Sequence, residues 1–213
     1  MKITVLGAAG NAGSRIVSEA ITRGHEVTAV VRYSDDAKKV HSGVKTIIGD
    51  ASNAADVARL SAGQDVVISA VRPASGQESN VISTTRYLMD GLADSGARLL
   101  IVGGAATLKV PGGKGKTVLE DSDYLPVAAR YIGQASADQF GVCRDESRVD
   151  WVYLSPAAQF FPGTRTGEYR MGRDELLVDR KGRSRISMED AAVVLLDEVE
   201  NPKHHQTRIT AAY

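Results

Sequence analysis

The chain has a single cysteine, Cys143, among its 213 residues. No internal disulfide framework and no cysteine-based zinc site can be built from it. Its four histidines, two of them adjacent at His204–His205, fall at no metal-ligand spacing, so no metal site is expected. Neither sign of charge is in excess, since Lys plus Arg and Asp plus Glu are both 26. The balance is also local, with 11 bases and 10 acids in residues 1–106 and 15 and 16 in 107–213. No basic tail or stripe marks a nucleic-acid or membrane surface, and neither is expected as a partner. No apolar run approaches the roughly 18 residues of a membrane span, and none precedes a cleavage site as the core of a signal peptide. A cytoplasmic, reducing compartment is the expectation. Apolar residues make up 43%, too many for disorder and enough for one domain's core.

Six short runs rich in Val and Ile punctuate the chain: Ile3–Leu6, Val27–Val31, Val44–Ile48, Val66–Ala70, Leu99–Val102 and Trp151–Leu154. They are nearly continuous in apolar character, as strands buried on both faces require. Between them lie stretches of helical length and spacing. Ile16, Ala20 and Ile21 share a face, as do Val57 and Leu60, and Ile82, Leu88 and Leu92. The alternation predicts an α/β fold, a Rossmann-type doubly wound parallel sheet with right-handed crossovers. After Leu154 the rhythm breaks. Residues 156–187 read as loops with a small hairpin near Tyr169 and Leu176–Val178, followed by a helix over Met188–Val199 and a strand over Thr207–Thr210. Residues 105–126 are the other irregular stretch. Both follow strand ends, where ligands of open α/β sheets sit.

Gly7-Ala8-Ala9-Gly10-Asn11-Ala12-Gly13 follows the first run and opens the first helix. Gly7 permits the tight turn, Gly10 lets backbone approach a pyrophosphate, and Gly13 lets helix and strand pack closely. The N–H groups at the helix start point at an anion that the helix dipole favours. Gly7, Ala9, Gly10, Asn11 and Ala12 are therefore the candidates for holding a dinucleotide's diphosphate. The plain alternative is glycines that serve packing alone.

The end of the second run bears on the choice between NADP and NAD. An NAD site usually places an acid there to hold the ribose hydroxyls. Here the chain reads Val31-Arg32-Tyr33-Ser34, with no acid before Asp35. Arg32 can meet a 2′-phosphate. A charge-assisted hydrogen bond contributes about 1.5–3 kcal/mol, which would favour NADP over NAD by about ten- to a hundredfold while leaving NAD usable. Otherwise Arg32 is a solvated strand-end arginine. At the third end, Asp50 can accept from the adenine amino group, with Ala51 beside it. Ala70, Val71 and Arg72 at the fourth suit passage of the ribose. Gly103 and Gly104 at the fifth allow close backbone approach at the nicotinamide end, and Pro156 with its neighbours Ser155, Ala157 and Ala158 follows the sixth. Ordinary loop punctuation explains each singly; their shared position at strand ends raises the set.

These residues resemble the atypical short-chain dehydrogenase/reductases, in particular the NAD(P)H-binding, NADH-flavin-reductase-like branch related to biliverdin-reductase-B-like proteins and NmrA-like regulators. The resemblance is carried by GAAGNAG at 7–13, VVR at 30–32, GDASNAADV at 49–57, GQDVVISAV at 63–71, DWVYLSPAAQFFPGTRTGEYR at 150–170 and SRISMEDAAVVLLDEV at 184–199. It implies a single NAD(P)-binding domain over 1–213, a nicotinamide cofactor, and a small substrate lobe built from about 105–126 and 156–187. The departures are as informative. Many such reductases carry a Ser after the fifth strand and a Tyr-x-x-x-Lys pair on the next helix, the Lys lowering the pKa of an acidic Tyr. Here Ala105 and Ala106 stand at the Ser position, and Ala135 stands where Tyr131 would need its Lys. Without a cation a phenol stays near its ordinary pKa of about 10, so Tyr131 reads as a packing residue. The His that biliverdin-reductase-B-like proteins place after the sixth strand is replaced by Ala157-Ala158. No catalytic side chain is assigned.

Reduction of a flavin or quinone survives these losses, because the acceptor takes hydride directly and protons can come from water. A flavin is thus a candidate small-molecule substrate, and Phe160, Phe161 and Tyr169 could wall its ring or plug the lobe. An NADP-binding redox sensor without turnover is the alternative. The protein is expected to be a monomer or homodimer. Gly115-Lys116-Thr117 imitates the end of a triphosphate-binding loop, but Val110 occupies the required first glycine position. Lys109, Lys114 and Lys116 read as a solvated loop edge, Arg165, Arg170 and Arg173 as lobe charges that could meet an acidic ligand, His204-His205 as exposed coil, and Cys143 as a small core residue.

Overall fold

A computed structural model describes residues 1–74 and 76–213. The apolar runs form β1 (Lys2–Leu6), β2 (Glu26–Val31), β3 (Lys45–Ile48), β4 (Val66–Ser69), β5 (Arg98–Val102) and β6 (Trp151–Pro156). Each helical stretch between them crosses over: α1 (Asn11–Thr22), α2 (Ala54–Ser61), α3 (Asn80–Leu92) and α4 (Arg130–Arg144). The later part adds β7 (Gln159–Phe161), β8 (Arg170–Gly172), β9 (Arg185–Ser187), α5 (Met188–Glu200) and β10 (Thr207–Ala212). The main sheet has eight strands in the order β3-β2-β1-β4-β5-β6-β10-β8. All of its pairings are parallel except β10 with β8. This is the doubly wound Rossmann-type arrangement, and the order reverses between β1 and β4, the switch point where such sheets open a crevice.

Helices α1 and α5 pack on one face, and α2, α3 and α4 pack in a row on the other. The first layer encloses Ile3, Val5, Ile16, Val17, Ala20, Leu154, Leu195, Leu196 and Ile209. The second encloses Leu6, Val57, Leu60, Leu88, Met89, Leu99, Ile101 and Tyr153. Side chains alternate between these layers along each strand, which is why the central runs are apolar throughout. In α3 the buried stripe is Val81, Thr85, Leu88, Met89 and Leu92, with Ile82 only partly covered.

Three elements differ from the sequence expectation. β6 continues through Pro156, because Pro156 pairs in register with Ala211 and needs no donor at that rung. No hairpin forms at Leu176–Val178. Instead β8 joins β10 as an antiparallel edge, and Leu176 packs with Leu108 and Val118 in a third small apolar cluster. β7 and β9 form a separate parallel pair, two short segments too far apart in sequence for a local pattern to reveal.

Asp190, at the start of α5, ties the irregular 162–169 segment to the fold. Ser187 caps the helix by accepting from the Asp190 N–H. The buried Asp190 carboxylate accepts from the Thr166 N–H (2.8 Å) and hydroxyl (2.7 Å), the Gly167 N–H (2.8 Å) and the Tyr213 hydroxyl (2.7 Å). Burial by itself pushes its pKa up, but the donors outweigh it, Thr166 and then Tyr213 foremost, and hold the carboxyl below its ordinary value. A group depressed by folding stabilises the protein above its unfolded pKa of about 4, and the contribution fades as pH falls through the lower folded value. Asp190→Asn should cost about 1–3 kcal/mol at neutral pH by leaving a buried donor unpaired. Urea midpoints measured from pH 7 down to pH 3 would show the gap between wild type and variant narrowing; a gap independent of pH contradicts the assignment.

Candidate functional site

The carboxyl ends of β1 to β6 meet along one edge. Gly7 leaves β1 with φ +77°, and a β-carbon there would lie 2.8 Å from the Ala70 carbonyl oxygen. Gly13 is more tightly enclosed, since a β-carbon would lie 2.1 Å from the Gly7 carbonyl oxygen. That oxygen also accepts from the Gly10 N–H at 3.0 Å, which closes the turn. Gly10 is the N-cap of α1, no side chain caps it, and the first turn holds no acid. The helix therefore presents its positive end unneutralised beside exposed Gly10 and Asn11, with Ala9 and Ala12 partly covered. One residue here escaped sequence reasoning. Arg15 donates from Nη1 to the Asn11 carbonyl (2.8 Å) and from Nε to Glu189 (2.6 Å), whose other oxygen accepts from the Gly163 N–H (2.7 Å). It pins the first turn of α1 to the start of α5. No local signal marks it, because its carboxylate partner lies 174 residues away in sequence.

Arg32 and Asp50, expected to touch different parts of an adenosine, are ion-pair partners at 3.8 Å. The Arg32 side chain is 58% exposed, and its guanidinium lies 5.7 Å from the centre of the exposed Tyr33 ring. Asp50 Oδ1 accepts from both the Ser52 hydroxyl (2.6 Å) and the Ser52 N–H (2.9 Å). The Ser52 hydroxyl is the chief cause holding the Asp50 carboxyl below its ordinary pKa, against partial burial, with the Ser52 N–H and Arg32 adding to it. Ala51 is buried, Ala70 and Val71 are partly covered beside Gly7, and Arg72 is exposed.

The β5 and β6 ends are built differently from the expectation. The missing side chains of Gly103 and Gly104 make room on the protein side. A β-carbon at Gly103 would lie 1.9 Å from Tyr153 Cζ, and one at Gly104 would lie 2.4 Å from Ser136 Oγ. Pro156 is buried inside β6, and the Ala158 N–H is taken by Ser184 Oγ at 3.1 Å. Tyr131 is 52% exposed and does not pack into the core. It borders an open hollow of about 580 Å³ with Leu119, Glu120, Arg130 and Gln134. Tyr153 is fully buried, and burial pushes its phenol pKa up, so it is not a tuned acid. Burial likewise pushes the Cys143 thiol up to about 12, which suits a core residue and not a nucleophile.

The aromatic wall divides. Phe161 is partly exposed, Phe160 packs against the α1–α5 layer, and the Tyr169 hydroxyl bonds Asp197 late in α5, away from the strand ends. The three lobe arginines are engaged internally: Arg165 with Glu19, Arg170 with the Tyr213 and Val178 carbonyls, and Arg173 with Thr207. His204 is not free coil, since its Nδ1 meets Glu198 at 2.6 Å. Among the described residues no group of His, Cys, Asp or Glu could hold a metal ion, and no helix is long and apolar enough to cross a membrane.

A sequence profile described as NAD(P)H-binding matches residues 7–202. The chain belongs to this NAD(P)H-binding family. The expected NAD(P)H-binding family is thereby borne out. A curated relative, the uncharacterized protein YwnB of Bacillus subtilis strain 168, is 39% identical over 220 residues, covering 99% of this chain and 97% of that protein. Solved structures similar over the whole chain include the following two. One, from Bacteroides thetaiotaomicron and provisionally named an epimerase, has a TM-score of 0.89 at 39% identity and is covered over 96% of its length. The other, from Streptococcus pneumoniae TIGR4 and provisionally named an NADH-flavin reductase, has a TM-score of 0.87 at 33% identity and is covered over 99%. Reductase and epimerase are different chemistries on one scaffold.

Proposed function

We propose that this NAD(P)H-binding protein is an oxidoreductase that prefers NADPH over NADH and passes hydride directly to a flavin, quinone or similar small acceptor. The observation that carries the reading is the acceptor end of the site, where, among the described residues, no side chain is arranged to deliver a proton. Ala105, Ala135, Ala157 and Ala158 occupy the positions where the related reductases put polar groups. Tyr131 stands in solvent, and Tyr153 is buried with a raised pKa. A carbonyl or a sugar carbon would need such a group. A flavin needs ring stacking and a proton from water.

The cofactor fits the turn on structural grounds: Gly10 offers no side chain, the helix start is uncapped, and no acid opposes an anion there. In this reading Gly7, Ala9, Gly10, Asn11 and Ala12 hold the diphosphate and Arg32 the 2′-phosphate. Asp50 and Ala51 border the adenine, Ala70, Val71 and Arg72 the ribose, and Gly103, Gly104 and Pro156 the nicotinamide side. Bound there, the reduced nicotinamide supplies a hydride, and a solvent proton completes the two-electron reduction of the acceptor. Segments 105–126 and 156–187, with Phe161, wall the acceptor as a lobe of the same domain.

The test mixes the protein with NADPH and FMN, FAD or a quinone and follows the near-ultraviolet absorbance of the reduced nicotinamide. Acceptor-dependent loss of absorbance well above buffer is expected. Absence of turnover with every acceptor, together with tight NADPH binding, selects the second reading, a redox-sensing binding protein. That reading is favoured by the same lack of a proton donor.

A further inference from the structure

The segment after β5 begins Gly103-Gly104-Ala105-Ala106-Thr107, with little side chain of its own to hold it. It is held from the sheet beneath by two residues that are register partners, Tyr153 on β6 and Arg208 on β10. The Tyr153 hydroxyl accepts from the Gly104 N–H (3.2 Å) and is placed to donate to the Ser136 carbonyl (3.1 Å) or Gln139 Oε1 (3.3 Å) on α4. Its ring fills the space that a side chain at Gly103 would take. Arg208 is only 7% exposed. It donates from Nη1 to the Thr107 hydroxyl (2.6 Å) and from Nε and Nη2 to Asp174 (3.2 and 2.5 Å), in the loop after β8. The Phe140 ring joins the two, with its centre 4.5 Å from the Arg208 guanidinium carbon and 5.2 Å from the Tyr153 ring centre.

We infer that Tyr153 and Arg208, bridged by Phe140, form a latch that positions the Gly103–Thr107 wall for hydride transfer; the inference rests on the oxidoreductase reading above. A nearly buried guanidinium whose carboxylate partner is 64% exposed is an uneconomical way to stabilise a core. Apolar residues of similar volume would do as well or better. What this arrangement supplies is a fixed distance between the sheet and three separate segments: the end of β5, α4 and the loop after β8. Hydride transfer is sensitive to displacements of about 1 Å, so such fixing acts on rate more than on cofactor affinity. Both residues are positioning residues, acting through the backbone that they hold.

Tyr153→Phe keeps the ring and removes the hydroxyl. Arg208→Lys keeps the charge and gives up the fork that reaches both Thr107 and Asp174. Each variant is expected to lower kcat about tenfold or more while the dissociation constant for 2′,5′-ADP, which probes only the adenosine end, stays within about twofold. The isotope effect with deuterated NADPH should rise as chemistry becomes slower. Unchanged kcat in both variants, or a parallel loss of 2′,5′-ADP affinity, overturns the latch. If wild-type protein turns over no acceptor, the oxidoreductase reading fails separately. Amide hydrogen exchange over residues 103–110 then decides the latch: protection lost in both variants supports it, and unchanged protection overturns it.

Discussion

Gly13→Ala is expected to give a protein that is measurably less stable and binds neither NADPH nor NADH with useful affinity. The added methyl would lie 2.1 Å from the Gly7 carbonyl oxygen and 2.8 Å from its carbon, backbone that cannot rotate away. Relief requires moving the turn that the Gly10 N–H closes on that same oxygen. Overpacking of this kind costs about 1–3 kcal/mol, and for a chain of this size each kcal/mol lowers Tm by about 2–4 °C. Gly10→Ala separates folding from binding. Its methyl would approach only the Gly7 oxygen, at 3.2 Å, a contact that small adjustments relieve. Its stability should stay near wild type, while the methyl obstructs a diphosphate at the helix start. Calorimetric titration with NADPH and thermal melts on both variants check the pair. Wild-type affinity in Gly10→Ala would remove the diphosphate from this turn.

Much of the fold was legible because its signals are local. β1, β2, β4 and β5 lie between two helical layers, so their runs are apolar on both faces and show in the sequence as blocks of Val, Ile and Leu. Gly7 and Gly13 showed for a similar reason: Gly7 takes φ +77°, and a side chain at Gly13 would meet the turn. What escaped depended on long-range pairing. β8 is three residues long and takes its place from β10, nearly forty residues later, so no periodicity announces it. Tyr169 looked like a wall because an aromatic after a strand end usually faces the crevice, yet its hydroxyl is drawn to Asp197 on α5. Arg165 and Arg170 looked available to a ligand because their acceptors, Glu19 and the Tyr213 carbonyl, lie far away in sequence. Gly103 and Gly104 were recognised as places of close approach, but the approaching group is this chain's own Tyr153 and Ser136. A glycine signals that space is needed without saying which side needs it.

Arg32→Ala should abolish the proposed preference for NADPH while leaving NADH use and folding nearly intact. The Arg32–Asp50 pair is a poor stabiliser. Both side chains are substantially exposed, the separation is 3.8 Å, and exposed pairs of this kind contribute about 0–1 kcal/mol. Holding Arg32 by so weak a tether keeps it beside the ends of β2 and β3 and leaves it free to move to a stronger anion. A 2′-phosphate offers charge-assisted hydrogen bonds of about 1.5–3 kcal/mol, so the variant should lose about ten- to a hundredfold in NADPH affinity. NADH lacks that phosphate and should lose little. Arg32→Lys should recover only part of the preference, because an ammonium cannot engage the phosphate through two parallel donors. The proposed wild-type preference should also weaken as salt is raised, since the Arg32 side chain is open to solvent. Titrations of both dinucleotides against both variants read the effect directly. An equal loss for NADPH and NADH would mean that Arg32 supports the turn or the adenine and does not read the phosphate, and cofactor choice would then have to be sought elsewhere along the β2 and β3 ends.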